Sequence, residues 1–151
     1  MGGEANEAVS RFVVGVDLGT TNSALCYVDS RERPWRVRTL RIPQRVSADS
    51  IEARESLPSF LYQPLPGEIP AAGGAEAAMA DDSGRAMVVG CYARDQGTLA
   101  PGRLIHSAKS WLCHGGVDRT AALLPWQGAD DVKRLSPVEV SSHYLAHLRR
   151  A

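Results

Sequence analysis

Apolar residues arrive in short bursts along this chain, and their spacing changes from burst to burst. Phe12-Val13-Val14-Gly15-Val16 is a continuous β-branched run, the kind that makes a strand buried on both faces. The polar turn Asp17-Leu18-Gly19-Thr20-Thr21-Asn22 follows, and Ser23 to Val28 reads as a second strand. Strands so close together predict a hairpin rather than a strand-to-helix unit. After a turn from Asp29 to Pro34, Trp35, Val37 and Thr39 alternate with Arg36, Arg38 and Leu40. That two-residue period predicts a half-exposed third strand. Pro43 to Ser56 is polar and loop-like, Leu57 to Tyr62 makes a further short strand, and Ala86 to Gly90 a compact apolar one.

Helical spacing appears later. Arg103 to His114 reads as a helix in which Leu104, Ala108, Trp111 and Leu112 form one buried stripe. Ser136-Pro137-Val138-Glu139 is a helix start: Ser136 can cap, Pro137 tolerates the first turn, and Glu139 completes a capping box. Val140, Tyr144 and Leu148 then recur along one face. Arg149-Arg150-Ala151 supplies neither Gly nor Pro as a stop, so a truncated chain is expected, its next strand missing. Residues 1 to 10 carry no period and read as a loose tail. Pro64 to Arg85 is rich in Pro, Gly, Ala and Asp and reads as a flexible surface insertion.

Composition narrows the classes. The 151 residues carry 17 Lys and Arg against 17 Asp and Glu, a formal net charge of zero. Such a balance leaves no electrostatic footprint for nucleic acid or an anionic membrane. With 44% hydrophobic and 23% charged residues the chain has a globular composition and a length able to bury a core. The run at Phe12 to Val16 is too short to span a bilayer, and Asp17 ends it. Cys26, Cys91 and Cys113 are odd in number and widely spaced, which points away from a disulfide framework and towards a cytoplasmic chain. The cations are lopsided, with fifteen Arg and only Lys109 and Lys133, so each lysine merits attention.

The turn from Asp17 to Asn22 carries the clearest chemistry. Gly19 lets backbone amides converge on a phosphate without a Cβ in the way. Thr20 and Thr21 add hydroxyl donors, and Asp17 stands at the strand end where a carboxylate could hold hydrated Mg²⁺, an ion that keeps several waters. It is not a Walker loop, because no Gly-x4-Gly-Lys-Ser/Thr occurs.

Val14-Gly15-Val16-Asp17-Leu18-Gly19-Thr20-Thr21-Asn22-Ser23 resembles the opening phosphate-binding segment of the DnaK-type, seventy-kilodalton heat-shock chaperones, within the superfamily of actin and sugar kinases. Four further stretches are similar to that family in the same order. They are Leu57-Pro58-Ser59-Phe60; Val88-Val89-Gly90 with Ala93-Arg94; Leu104 to Lys109; and Ser136-Pro137-Val138-Glu139-Val140. The resemblance implies an α/β fold, the first lobe of an actin-like ATPase (ribonuclease H-like) over residues 11 to 151, which corresponds to part of a nucleotide-binding domain. It implies ATP or ADP with Mg²⁺ as ligands, Asp17 near the metal through water, and Gly19, Thr20, Thr21 and Asn22 around the phosphates. Lys109 matches the family's catalytic lysine, and Asp17 is its catalytic partner in the site. The parent protein would hydrolyse ATP and couple nucleotide state to client polypeptides, with co-chaperones as further partners. The balanced charge and short apolar runs lead to the expectation of no nucleic-acid or membrane partner.

The chain departs from the family at Glu55-Ser56-Leu57 and at Ser110-Trp111-Leu112-Cys113, which suggests an atypical branch. An actin-fold small-molecule kinase and a nucleotide-dependent actin-like assembly protein share the same turn and stand as alternatives. His143 and His147 lie one helical turn apart, with Cys113 and His114 as conceivable zinc partners, but helix-surface histidines are the commoner case. The arginines between residues 31 and 45 read as a solvated strand face. Cys113 beside His114 has no third group to orient a nucleophile.

Overall fold

A computed structural model describes residues 10–69, 79–80 and 84–151. The chain is mixed α/β, and every strand pairing among the described residues is antiparallel. Strands β1 (Phe12–Asp17) and β2 (Asn22–Asp29) form the expected hairpin, with Phe12 opposite Asp29 and Asp17 opposite Ala24. On its other side β2 pairs with β3 (Arg38–Thr39) and, at its start, with β6 (Leu57–Pro58). Strands β4 (Ile42–Arg45) and β5 (Ile51–Arg54) make a separate hairpin. The second four-stranded sheet runs β10 (Leu104–His106), β7 (Phe60–Tyr62), β9 (Ala86–Val89), β8 (Met79–Ala80). The described residues include three α-helices: α1 (Cys91–Leu99), which precedes β10, then α2 (Ala108–Leu112) and α3 (Pro137–Arg150).

The core sits on the second sheet. Leu61, Met87, Val89 and Ile105 join Leu57, Leu25 and Ile42 with Val140, Tyr144 and Leu148 of α3 in one cluster. Tyr62 and Val88 belong to a second cluster with Tyr92 and Ala93 of α1. Neighbouring residues of β7 and β9 therefore feed different clusters, as alternation across a sheet requires.

Helix α3 follows its sequence signature. Ser136 Oγ accepts from the Glu139 amide at 3.1 Å, Glu139 accepts from the Ser136 amide at 2.7 Å, and Val140, Tyr144 and Leu148 are all buried. The Ser136 amide, then the Ser136 hydroxyl, hold the Glu139 carboxyl below its ordinary range.

Several expectations are corrected. Strand β1 is exposed along its whole length rather than buried on both faces. Its apolar run signals a capacity for burial, but it occupies a sheet edge while the helices gather on the other sheet. The third strand shrinks from residues 35–40 to Arg38–Thr39, and Trp35 and Val37 stay exposed. Pro43 to Ser56 is largely the β4–β5 hairpin instead of a loop. Its polarity misleads because Gln44 and Arg45 are buried with their polar atoms satisfied: Gln44 Nε2 donates to Ser56 O at 2.8 Å and Arg45 donates to the Ala48 carbonyl. Leu57 to Tyr62 is two strands, and the chain changes sheet at Ser59.

The helix expected over Arg103 to His114 divides. Leu104–His106 pairs with β7, Ser107 takes a left-handed conformation (φ 56°), and only Ala108–Leu112 is helical. Ile105 is buried opposite Leu61, so cross-strand pairing overrides the helical period. Helix α1 carries no strong apolar stripe; its start is supplied from elsewhere in the chain. Gly90 sits at φ 93°, where a Cβ would lie 2.6 Å from Gln44 Oε1, and that oxygen accepts from the Cys91 amide at 3.0 Å. Only a residue without a Cβ leaves Gln44 room to cap the helix.

The expected insertion is tied down at its start. Glu68 accepts from the Leu65 amide at 2.7 Å and from the hydroxyls of Tyr62 and Tyr92 at 3.2 and 3.3 Å. Burial, then the Glu68 hydrogen bond, pushes the Tyr62 phenol up to about 12. Met79–Ala80 pairs with β9. The remainder of that reading, at 70–78 and 81–83, and the tail reading at 1–9 lie outside the described residues.

Candidate functional site

The turn between β1 and β2 is positioned from behind by one serine. Asp17 ends β1 and is exposed, as are Thr20, Thr21 and Asn22; Leu18 packs against the main core. Ser59 Oγ donates to the Gly19 carbonyl at 2.8 Å, and the Ser59 amide donates to the Thr21 carbonyl at 2.8 Å. With its proton spent on Gly19, Ser59 Oγ is the acceptor for Ser23 Oγ at 3.0 Å. The Ser59 carbonyl in turn accepts from the Tyr144 hydroxyl of α3 at 3.0 Å. Burial pushes that phenol's pKa up, so it stays a donor. A chain of bonds thus runs from α3 through Ser59 to the turn.

Gly19 is required by the close approach of the backbone: a Cβ there would lie 2.0 Å from the Asn22 carbonyl oxygen. Ser59 takes two carbonyls of the turn, while the amides of Gly19, Thr20 and Thr21 meet no protein acceptor among the described residues. An exposed turn with its carbonyls held back and its amides and two hydroxyls unspent is chemically a donor surface. Such surfaces suit anions.

Asp17 is the carboxylate adjacent to that surface. It lines an open cavity of about 300 Å³ with Gly15, Val16, Ala24, Leu25, Cys26 and Thr39. No group of three or more His, Cys, Asp or Glu side chains gathers among the described residues. One carboxylate beside anion donors fits a metal that arrives with its phosphates and keeps most of its waters; it does not fit an all-protein cage.

Lys109 lies apart from the turn in the contacts of the structure. It is half-buried in the five-residue α2, and its ammonium makes no ion pair among the described residues. No described cavity joins it to Asp17 or Gly19. The two regions do share a support, since Leu18 and Trp111 pack against the same core cluster. His147 is buried rather than on the helix surface as expected, and donates from Nε2 to the Pro43 carbonyl at 2.8 Å.

Ser59 and Tyr144 join the site with no signal in the sequence: Ser59 lies within Leu57-Pro58-Ser59-Phe60, and no spacing ties either residue to the turn. No helix among the described residues is long and apolar enough to cross a membrane. Neither a scan against protein-family models nor a search of curated proteins found a match to this chain.

Proposed function

We propose that the β1–β2 turn binds the phosphates of ATP or ADP. On this reading the chain is the first lobe of an actin-like nucleotide-binding domain of the DnaK chaperone type. The observation that carries the reading is the donor surface: free amides at Gly19, Thr20 and Thr21, two threonine hydroxyls, and carbonyls retained by Ser59. The ordered resemblance of five segments supports the chaperone branch over a small-molecule kinase or an assembly protein.

In this mechanism Gly19, Thr20, Thr21 and Asn22 hold phosphate oxygens, and Asp17 orients the water shell of Mg²⁺. The metal supplies neutralisation of phosphate charge when bound. The structure gives no contact between Lys109 and the turn among the described residues; its role rests on the resemblance alone, by which its ammonium would stabilise charge developing on the transferred phosphoryl group. Phosphoryl transfer needs ligands from both sides of a nucleotide, and this turn furnishes one, so weak binding without turnover is expected of residues 1–151. In the parent, nucleotide state would bias a two-state equilibrium of a client-polypeptide-binding domain, with co-chaperones acting on the same equilibrium.

Titration of the chain with Mg-ADP and Mg-ATP, followed by amide chemical shifts, tests the reading. Perturbations should centre on residues 17–22 and vanish in Gly19→Ala, whose Cβ cannot be accommodated against Asn22. Asp17→Asn should keep nucleotide binding but lose most of its Mg²⁺ dependence. Absence of perturbation at 17–22, or an unchanged response in Gly19→Ala, would remove the turn from nucleotide binding.

A further inference from the structure

Resting on the phosphate reading of the β1–β2 turn, we propose that Ser59 is the positioning residue of that site. Its hydroxyl sets the plane of the Gly19–Thr20 peptide, and so decides whether the turn offers a donor or an acceptor to an anion. A carbonyl can only accept, so the 2.8 Å contact between Ser59 Oγ and the Gly19 oxygen makes the serine the donor. The Gly19–Thr20 peptide is trans, and in a planar trans peptide the C=O and the following N–H point in opposite directions. Ser59 is buried and Thr20 is exposed, so a Gly19 carbonyl held inward turns the Thr20 N–H outward. The Ser59 amide repeats the effect two residues on. It holds the Thr21 carbonyl at 2.8 Å, which turns the Asn22 N–H away from Ser59.

This orientation is easy to lose at a glycine. Gly19 has no side chain to restrict its backbone rotation, and the residues that follow it are exposed. A rotated Gly19–Thr20 peptide sets a carbonyl oxygen where the Thr20 N–H stood, and an acceptor repels a phosphate oxygen.

What holds the plane is a support with little freedom of its own. Ser59 is the residue at which the chain leaves β6, paired with β2, and enters β7 of the second sheet. Its carbonyl accepts from the Tyr144 hydroxyl at 3.0 Å, and its Oγ accepts from Ser23 Oγ at 3.0 Å. With its amide on Thr21 as well, the serine is fixed before any anion arrives, which is preorganisation of the site from behind.

Ser23 supplies the control. Both serines are buried and share one hydrogen bond, so either one changed to Ala removes a buried hydroxyl from the same pair. Only Ser59→Ala releases the Gly19 carbonyl.

Mg-ADP titration of the full 151-residue chain, read from amide shifts at residues 17–22, gives the affinity. The carbonyl carbon shift of Gly19 without nucleotide reads its hydrogen bond directly. Ser59→Ala should bind Mg-ADP roughly tenfold more weakly and move that shift towards the value of a free carbonyl. Ser23→Ala should lose comparable stability on melting, yet keep its affinity close to wild type and leave the Gly19 shift in place. Ser59→Cys keeps the bulk of the side chain but donates weakly, so it should follow Ser59→Ala and replaces it if the alanine variant does not fold. A wild-type turn that does not respond to Mg-ADP removes the phosphate reading and this role with it. A wild-type turn that responds, with Ser59→Ala binding as tightly or Ser23→Ala losing as much affinity, overturns the role of Ser59 alone.

Discussion

Strands β1 and β9 are built from nearly the same kind of sequence and meet opposite fates. Phe12-Val13-Val14-Gly15-Val16 and Ala86-Met87-Val88-Val89-Gly90 are both short apolar runs ending at a turn. Yet Val14 is 54% exposed and Val88 is 1% exposed. Strand β9 lies between β7 and β8, with α3 and its cluster meeting Met87 and Val89, and α1 and its cluster meeting Val88. Strand β1 has β2 on one side and an open edge on the other. Apolarity reports what a strand can bury; the number of layers stacked on it decides what it does bury.

The largest test of the contrast is a matched pair of truncations. Met87→Ala should cost about 2–5 kcal/mol in urea denaturation, as for other fully buried large-to-small changes. Val14→Ala should stay within about 0.5 kcal/mol of wild type. Comparable losses at both positions would mean that β1 is covered after all.

The next test concerns the hydrogen-bond chain that links the β1–β2 turn to α3. Tyr144→Phe removes the donor to the Ser59 carbonyl and should cost about 1–2 kcal/mol, since it strands a buried acceptor. Exchange of the Ser59 amide, which donates to the Thr21 carbonyl, should also speed up. Loss of stability with unchanged exchange at Ser59 would separate α3 from the turn.

The smallest effect is a pH dependence at the start of α3. The folded Glu139 carboxyl lies below its unfolded value, so its contribution is complete above the ordinary carboxylate range, near pH 4.3, and declines as pH falls through the folded value. Because the residue is exposed, less than about 1 kcal/mol is at stake after solvent screening. Glu139→Gln should flatten the acid limb of the stability curve without altering the β1 hairpin. An unaltered acid limb would place the titration elsewhere.

Legibility in the sequence followed the range of the interactions involved. The capping box of α3 spans Ser136 to Glu139, and its buried face recurs every fourth residue, so both could be read without a fold. The β1–β2 hairpin and its Gly19 turn are contiguous and equally plain. Helix α1 was not, because Gln44 caps it from 47 residues away and Gly90 makes room for that cap. Hairpin β4–β5 was hidden because its interior includes Gln44 and Arg45, whose burial rests on hydrogen bonds that no hydropathy pattern records. Leu104 to His106 carried a helical period but became a strand when β7 offered an edge.

The candidate site divides in the same way. Asp17, Gly19, Thr20, Thr21 and Asn22 stand together because they are neighbours in the chain, and Gly19 is demanded by a turn closed within three residues. Ser59 reaches that turn across 40 residues, and Tyr144 reaches Ser59 across 85. Local backbone sterics and capping act between residues close in the chain, so the sequence by itself determined the hairpin, its turn and α3. Which apolar strand is buried, which carbonyls of the turn are held back, and where Lys109 stands depend on layers and bonds between distant segments. Only the tertiary structure could decide those, because side-chain burial and long-range hydrogen bonds are properties of the packed whole.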